Sequence, residues 1–157
     1  MKKIILVIVC VTSLLYIISC AKSTPGYYSC EGVPASYDTA TIALFAKQHG
    51  LTVIQDTSLI YYQIITQGSG ATPTAKSKVT VNYVGTLLNG NQFDSVNAIT
   101  FELDSVIKGW QYALPKIQTG GHIKFLVPSS LAFGCTGTPS IPANAPLFFD
   151  VQLLNVQ

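Results

Sequence analysis

The chain contains no arginine, and its charges are sparse: nine lysines face seven acidic residues across 157 positions. The formal net charge of +2 is that of Lys2 and Lys3 alone, so the remainder is balanced. Without a basic cluster to neutralise phosphates, nucleic acid is excluded as a partner. The two histidines, His49 and His122, stand far apart and carry no ligand spacing, so no metal motif is present. A glycine-rich phosphate loop is also missing, as is a serine or cysteine nucleophile with an obvious base. Asp94, Glu102, Asp104 and Asp150 form no recognisable acid–base pair. No cofactor is expected. The length fits one domain, and Val, Ile, Leu, Phe and Tyr are plentiful enough for one core.

Lys2 and Lys3 precede an uncharged run from Ile4 to Ser19, which is short for a membrane span and has the layout of an export signal. It ends Ile17-Ile18-Ser19-Cys20, which resembles the lipobox of bacterial lipoproteins. Residues 1–19 are therefore expected to be a lipoprotein signal peptide, with Cys20 as the lipidation site that anchors the chain to a membrane. An ordinary signal peptide or an anchor helix is the alternative. Ala21 stands where inner-membrane lipoproteins carry aspartate, which favours the outer membrane, facing the periplasm. Residues 20–35 read as a lipidated tether, rich in Ser, Pro, Gly and Tyr without periodicity. Cys10 falls in the signal, leaving Cys30 and Cys135. In an exported protein such a pair makes a plausible disulfide between leader and late loop. Two unpaired thiols are the alternative, and spacing does not separate the two.

Residues 36–66 read as a helix with lead-in strands. Asp38 or Ser36 can cap a helix whose Ile42, Phe45, Ala46 and His49 share a face, with Gly50 at its C-terminal end. A single helix of this length usually packs on its own domain, so a monomer is expected. Strands are expected at Leu51–Asp56 and Ile60–Thr66, followed by a loop over 67–78. Val79, Val81 and Tyr83 alternate, and Asn89-Gly90 is a hairpin signal returning the chain to Phe93-Asp94-Ser95. Thr100–Leu103 reads as a further strand. Gly120-Gly121 reverses the chain into a strand over His122–Val127. There His122 lies opposite the core-facing Ile123, Phe125 and Val127, with no acid spaced to work with it. Residues 129–146 are a proline-stiffened loop, and such long loops are usually functional. Leu147–Leu153 closes the chain as a strand.

The stretch Val106-Ile107-Lys108-Gly109-Trp110 holds the only tryptophan. Asp104 and Ser105 read as N-cap residues of a short helix, ended by Pro115. An inward-facing helix start leaves a backbone N–H free for a ligand carbonyl, and the tryptophan offers a flat apolar floor. Tyr83, Phe93, Phe133 and Phe149, with Val106, Ile107 and Ile141, complete an aromatic set that is either a pocket or plain core.

Taken with Val81-Asn82-Tyr83-Val84-Gly85, Phe93-Asp94-Ser95, Leu131-Ala132-Phe133-Gly134, Ile141-Pro142 and Phe149-Asp150-Val151, these blocks resemble the FKBP family of peptidyl-prolyl cis-trans isomerases over residues 80–156. The segment 45–62 is similar to the lead-in of exported bacterial members. The resemblance implies an α+β fold over 67–157, a half-open antiparallel sheet wrapped around a short helix, here with an N-terminal helical extension. It implies Trp110 as floor and Phe93, Ile99, Val106, Phe133, Ile141 and Phe149 as substrate-binding walls. The catalytic set would be Asp94, Tyr83, Ile107 and Trp110, with the Ile107 N–H holding the carbonyl after proline. Proline-containing exported polypeptides would be the partners, and macrolides the inhibitors. Three departures stand out: Phe133 replaces the family's loop tyrosine, the Val96–Ala98 segment is short and lacks the usual arginine, and Thr138 replaces a common histidine. They keep open an FKBP-fold chaperone or adaptor that binds proline segments with little turnover.

Overall fold

A computed structural model of the protein describes residues 30–157. The expected signal peptide, Cys10 and the proposed lipidation site Cys20 lie outside the described residues, as does the tether up to residue 29. Among the described residues, no helix is long and apolar enough to cross a membrane.

Six antiparallel strands form one sheet: β1 (Ile54–Gln55), β2 (Tyr61–Thr66), β3 (Lys78–Leu87), β4 (Gln92–Glu102), β5 (His122–Val127) and β6 (Leu147–Val156), in the order β1-β2-β5-β6-β3-β4. The lead-in strands thus belong to the same sheet as the residues that follow them. The expected strand at 51–56 shrinks to Ile54–Gln55, because Leu51 and Val53 instead pack with Ile42 and Phe45 of the helix before them.

Alternation along the strands sends side chains to two different cores. Ile123, Phe125 and Val127 of β5 and Leu147, Phe149, Val151 and Leu153 of β6 face the helix α2 (Lys108–Ala113), where Trp110 is buried. On the reverse face, Leu126, Phe148 and Tyr61 meet Ile42 and Phe45 of α1 (Thr39–Gln48). Gly50 takes φ 63° at the end of α1, as a C-terminal glycine should. His49 is exposed and stacks on Phe45 at 3.9 Å between ring centroids.

The expected cap role of Asp38 is corrected. It precedes α1 but its side chain makes no capping hydrogen bond. Buried at 3% exposure, it accepts the N–H and Oγ–H of Ser129, both at 2.7 Å, and so ties the N-terminal segment to the loop after β5. Asp104 and Ser105 likewise do not cap α2. Ser105 donates backward to the Glu102 carbonyl at 2.6 Å within a short 3-10 turn over Leu103–Ser105, Val106 and Ile107 run extended, and the helix opens at Lys108. Gln111 then reaches back to the carbonyls of Val106, at 2.7 Å, and Asp104, at 3.2 Å, and fixes that extended approach.

The two strand fragments expected around Phe93 and Thr100 are one continuous strand. Between the pairs Val81–Ile99 and Tyr83–Val96, β4 carries an extra residue, and Ala98 turns to φ 53°. Asn82 Oδ1 accepts the Ala98 N–H at 2.8 Å, which satisfies the bulged backbone.

Gly109 sets how closely α2 approaches the sheet. A Cβ there would lie 3.0 Å from Val127 Cβ and closer still to both Val127 methyls. Gly109→Ala is expected to lower stability by about 1–2 kcal/mol, because overpacking costs about 1–3 kcal/mol and helix propensity returns under 1. Adding Val127→Ala should recover part of that loss in a thermal-melt cycle; strict additivity of the two would mean that the contact is not what matters.

Candidate active site

Trp110 is the base of an open cavity of about 410 Å³. The aromatic rings around it meet edge to face, which suits their quadrupoles. Tyr83 lies 5.1 Å from the indole, Phe149 5.3 Å, Phe101 5.5 Å and Phe125 5.8 Å, between ring centroids. Phe93 meets Phe149 at 5.7 Å. The walls come from four places: Tyr83 on β3, Phe93 to Phe101 on β4, Ser105 to Ile107 before α2, and Phe149 on β6, with Phe133 at the lip. Gly85 makes room for them, since a Cβ there would meet Phe93 Cζ at 2.6 Å.

Nine of the ten catalytic and substrate-binding residues expected from the sequence line this cavity: Tyr83, Phe93, Asp94, Ile99, Val106, Ile107, Trp110, Phe133 and Phe149. Ile141 does not. It is 3% exposed inside the core, because its N–H and carbonyl pair with Thr138 and fold the loop tightly inward. Phe101 and Ser105 line the cavity and were missed. Phe101 was within reach of sequence reasoning, as it follows Ile99 by two on the same face of a strand.

The polar groups of the cavity are few. Tyr83 donates its hydroxyl to Asp94 Oδ2 in a short hydrogen bond, and no other described side chain bonds this exposed carboxylate. Among the described residues, the Ile107 N–H has no hydrogen-bond partner, while the Ile107 carbonyl accepts from Trp110 N at 3.1 Å. Burial, then the hydrogen bond and the charge of Asp94, push the Tyr83 phenol well above its ordinary 10.0. Since unfolded tyrosine then releases its proton first, stability falls as pH rises past about 10. In a phenolate absorbance titration, Tyr83 should stay protonated at pH 11. Ionisation of that phenol at pH 11 in Asp94→Val would show that the carboxylate, in addition to burial, sustains the shift.

His122 lies on the opposite face of the sheet, as expected, but not alone. Its Nε2 sits 2.5 Å from Asp150 Oδ1, and Lys124 approaches Asp150 Oδ2 at 3.3 Å. The acid invisible in the sequence spacing is supplied by β6, where Lys124 pairs with Asp150 across the ladder. The described residues hold no cluster of three or more potential metal ligands. Cys30 and Cys135 are joined by a disulfide, with Cα atoms 5.6 Å apart.

An antiparallel sheet closed over a short tryptophan-bearing helix, with an aromatic cavity between them, defines an FKBP-type domain. Residues 70–154 match the family model described as FKBP-type peptidyl-prolyl cis-trans isomerase, and the chain belongs to that family. FkpA of Escherichia coli K12 is 43% identical over 117 residues, covering 72% of this chain and 43% of FkpA. The peptidyl-prolyl cis-trans isomerase Mip of Coxiella burnetii is 43% identical over 62% of this chain and 45% of Mip. The chain thus spans less than half the length of these curated relatives. Among solved structures, FkpA from Escherichia coli superposes with a TM-score of 0.70 at 37% identity, over 78% of this chain and 60% of that one. A peptidyl-prolyl cis-trans isomerase from Pseudomonas syringae gives 0.68 at 32% identity, over 81% and 98%.

Proposed function

We propose that this protein accelerates rotation about Xaa-Pro bonds in exported polypeptides, without a covalent step, in the Trp110 cavity. The observation that carries the reading is an apolar aromatic box whose unpartnered polar group is the Ile107 N–H. Turning an amide breaks its resonance, and the barrier for a peptide bond is about 18–20 kcal/mol. The twisted amide is less polar than the planar one. A water-poor aromatic cavity therefore disfavours the ground state more than the transition state. The proline ring rests on Trp110, the Ile107 N–H holds the carbonyl that follows, and Asp94, oriented by Tyr83, lies beside the rotating bond.

The chain works in a bacterial cell envelope, tethered by a lipid on Cys20 and facing the periplasm. The apolar face of α1 is already covered by Tyr61, Leu126 and Phe148, which supports a monomer. Phe133 brings no hydroxyl to the cavity lip, an observation that favours the second reading, a chaperone or adaptor gripping proline segments with little turnover.

The test is cis-to-trans isomerisation of short Xaa-Pro peptides by the full chain in detergent. Acceleration that falls at least tenfold in Trp110→Leu and Asp94→Val, and that a macrolide blocks, is expected. Folded protein that binds peptide without accelerating it would move the function to the adaptor class; no binding would remove both readings. Phe133→Tyr restores one neutral hydrogen bond of about 0.5–1.5 kcal/mol, so kcat/KM should rise about two- to tenfold. An unchanged value would mean that the lip does not touch the substrate carbonyl.

A further inference from the structure

Seven of the chain's eight prolines lie within the described fold, and the eighth, Pro25, lies in the run Thr24-Pro25-Gly26-Tyr27-Tyr28. That run ends two residues before Cys30. The disulfide places Cys30 Cα 5.6 Å from Cys135 Cα, and Cys135 is two residues beyond Phe133 on the cavity lip. At about 3.6 Å per residue, Cys30 is therefore no more than about 13 Å from Phe133 along Cα positions. The five residues back to Pro25 span up to about 18 Å. A proline is thus fastened covalently within its own reach of the cavity mouth.

The chemistry matches as well as the distance. Residues 23–30 carry no charge, so entering an apolar cavity desolvates no ion. Pro25 supplies a ring for the Trp110 floor and a following carbonyl for the free Ile107 N–H. Tyr27 and Tyr28 bring aromatic surface that suits Phe133, which is 37% exposed.

We propose that the Thr24–Tyr28 segment docks in the cavity of its own chain and competes there with client segments. The inference rests on the reading of the cavity as a proline site. A covalent connection of so few residues gives an effective concentration of about millimolar, comparable to the affinity of a weak peptide ligand. Client binding is then weakened by a few-fold, and any client that binds must displace the chain's own proline.

Trp110 is the single tryptophan, so its emission and its indole N–H resonance report on the cavity floor without any need for turnover. The oxidised full chain in detergent is compared with Pro25→Ala and with Ser23→Ala as control. Pro25→Ala should shift both Trp110 signals and tighten binding of a short Xaa-Pro peptide about two- to tenfold, while Ser23→Ala changes neither. Coincident Trp110 signals with equal peptide binding in Pro25→Ala and the parent chain would overturn the docking and leave the proline-site reading standing. Coincident signals with no peptide binding in either would overturn both.

Discussion

Replacing Asp38 by alanine is expected to cost about 3 kcal/mol of stability, read as a fall of roughly 10 °C in the thermal midpoint of the oxidised protein. The carboxylate is buried at 3% exposure and is the acceptor for both the N–H and the hydroxyl of Ser129, which is itself fully buried. Hydrogen bonds to a charged group are worth about 1.5–3 kcal/mol each, and alanine leaves two buried donors without a partner. One oxygen, Oδ2, takes both donors, so Asp38→Asn keeps an acceptor for each and should lose clearly less than Asp38→Ala. Equal losses for Ala and Asn would show that the charge, not the acceptor oxygen, is what the site uses.

Breaking the disulfide is the second large effect. Cys30 and Cys135 are separated by 105 positions, and closing a loop of that length removes about 4–5 kcal/mol of chain entropy from the unfolded state. Measured losses for native disulfides fall at about 2–5 kcal/mol, so reduction or Cys135→Ala should lower the thermal midpoint by roughly 10 °C. An unchanged midpoint after reduction would mean that the bond constrains nothing the fold does not already hold. The disulfide and Asp38 both fasten residues 30–38 to the stretch from Ser129 to Cys135, so the two losses should not add. Asp38→Ala in reduced protein should cost less than in oxidised protein, because the segment it secures is already partly released.

Much of the fold was legible because its periodicities are strong. Val79-Thr80-Val81-Asn82-Tyr83 alternates as a half-buried strand must, Asn89-Gly90 marks the β3–β4 turn, and Gly50 closes α1. Nine of the ten residues expected at the site line one cavity, and they fall in blocks ordered along the chain. The misreadings concern residues with more than one possible partner. Asp38 and Ser105 both read as cap residues, yet one bonds the distant Ser129 and the other turns back to Glu102. Ile141 was placed on the cavity wall, whereas the Thr138 pairing turns it into the core.

By itself the sequence determined the local matters, those set within a few residues: which segments alternate, where glycine permits a turn, the uncharged aromatic character of the site, and the absence of metal or nucleophile motifs. The tertiary structure alone decided which distant groups meet. Strand register brought Asp150 to His122 and Lys124, the bulge at Ala98 gave Asn82 a backbone to satisfy, and the approach permitted by Gly109 laid Trp110 beneath four other rings. The physical reason is that a hydrogen bond or a ring contact depends on ångström-scale distance, and sequence separation carries no information about distance until the sheet has fixed its register.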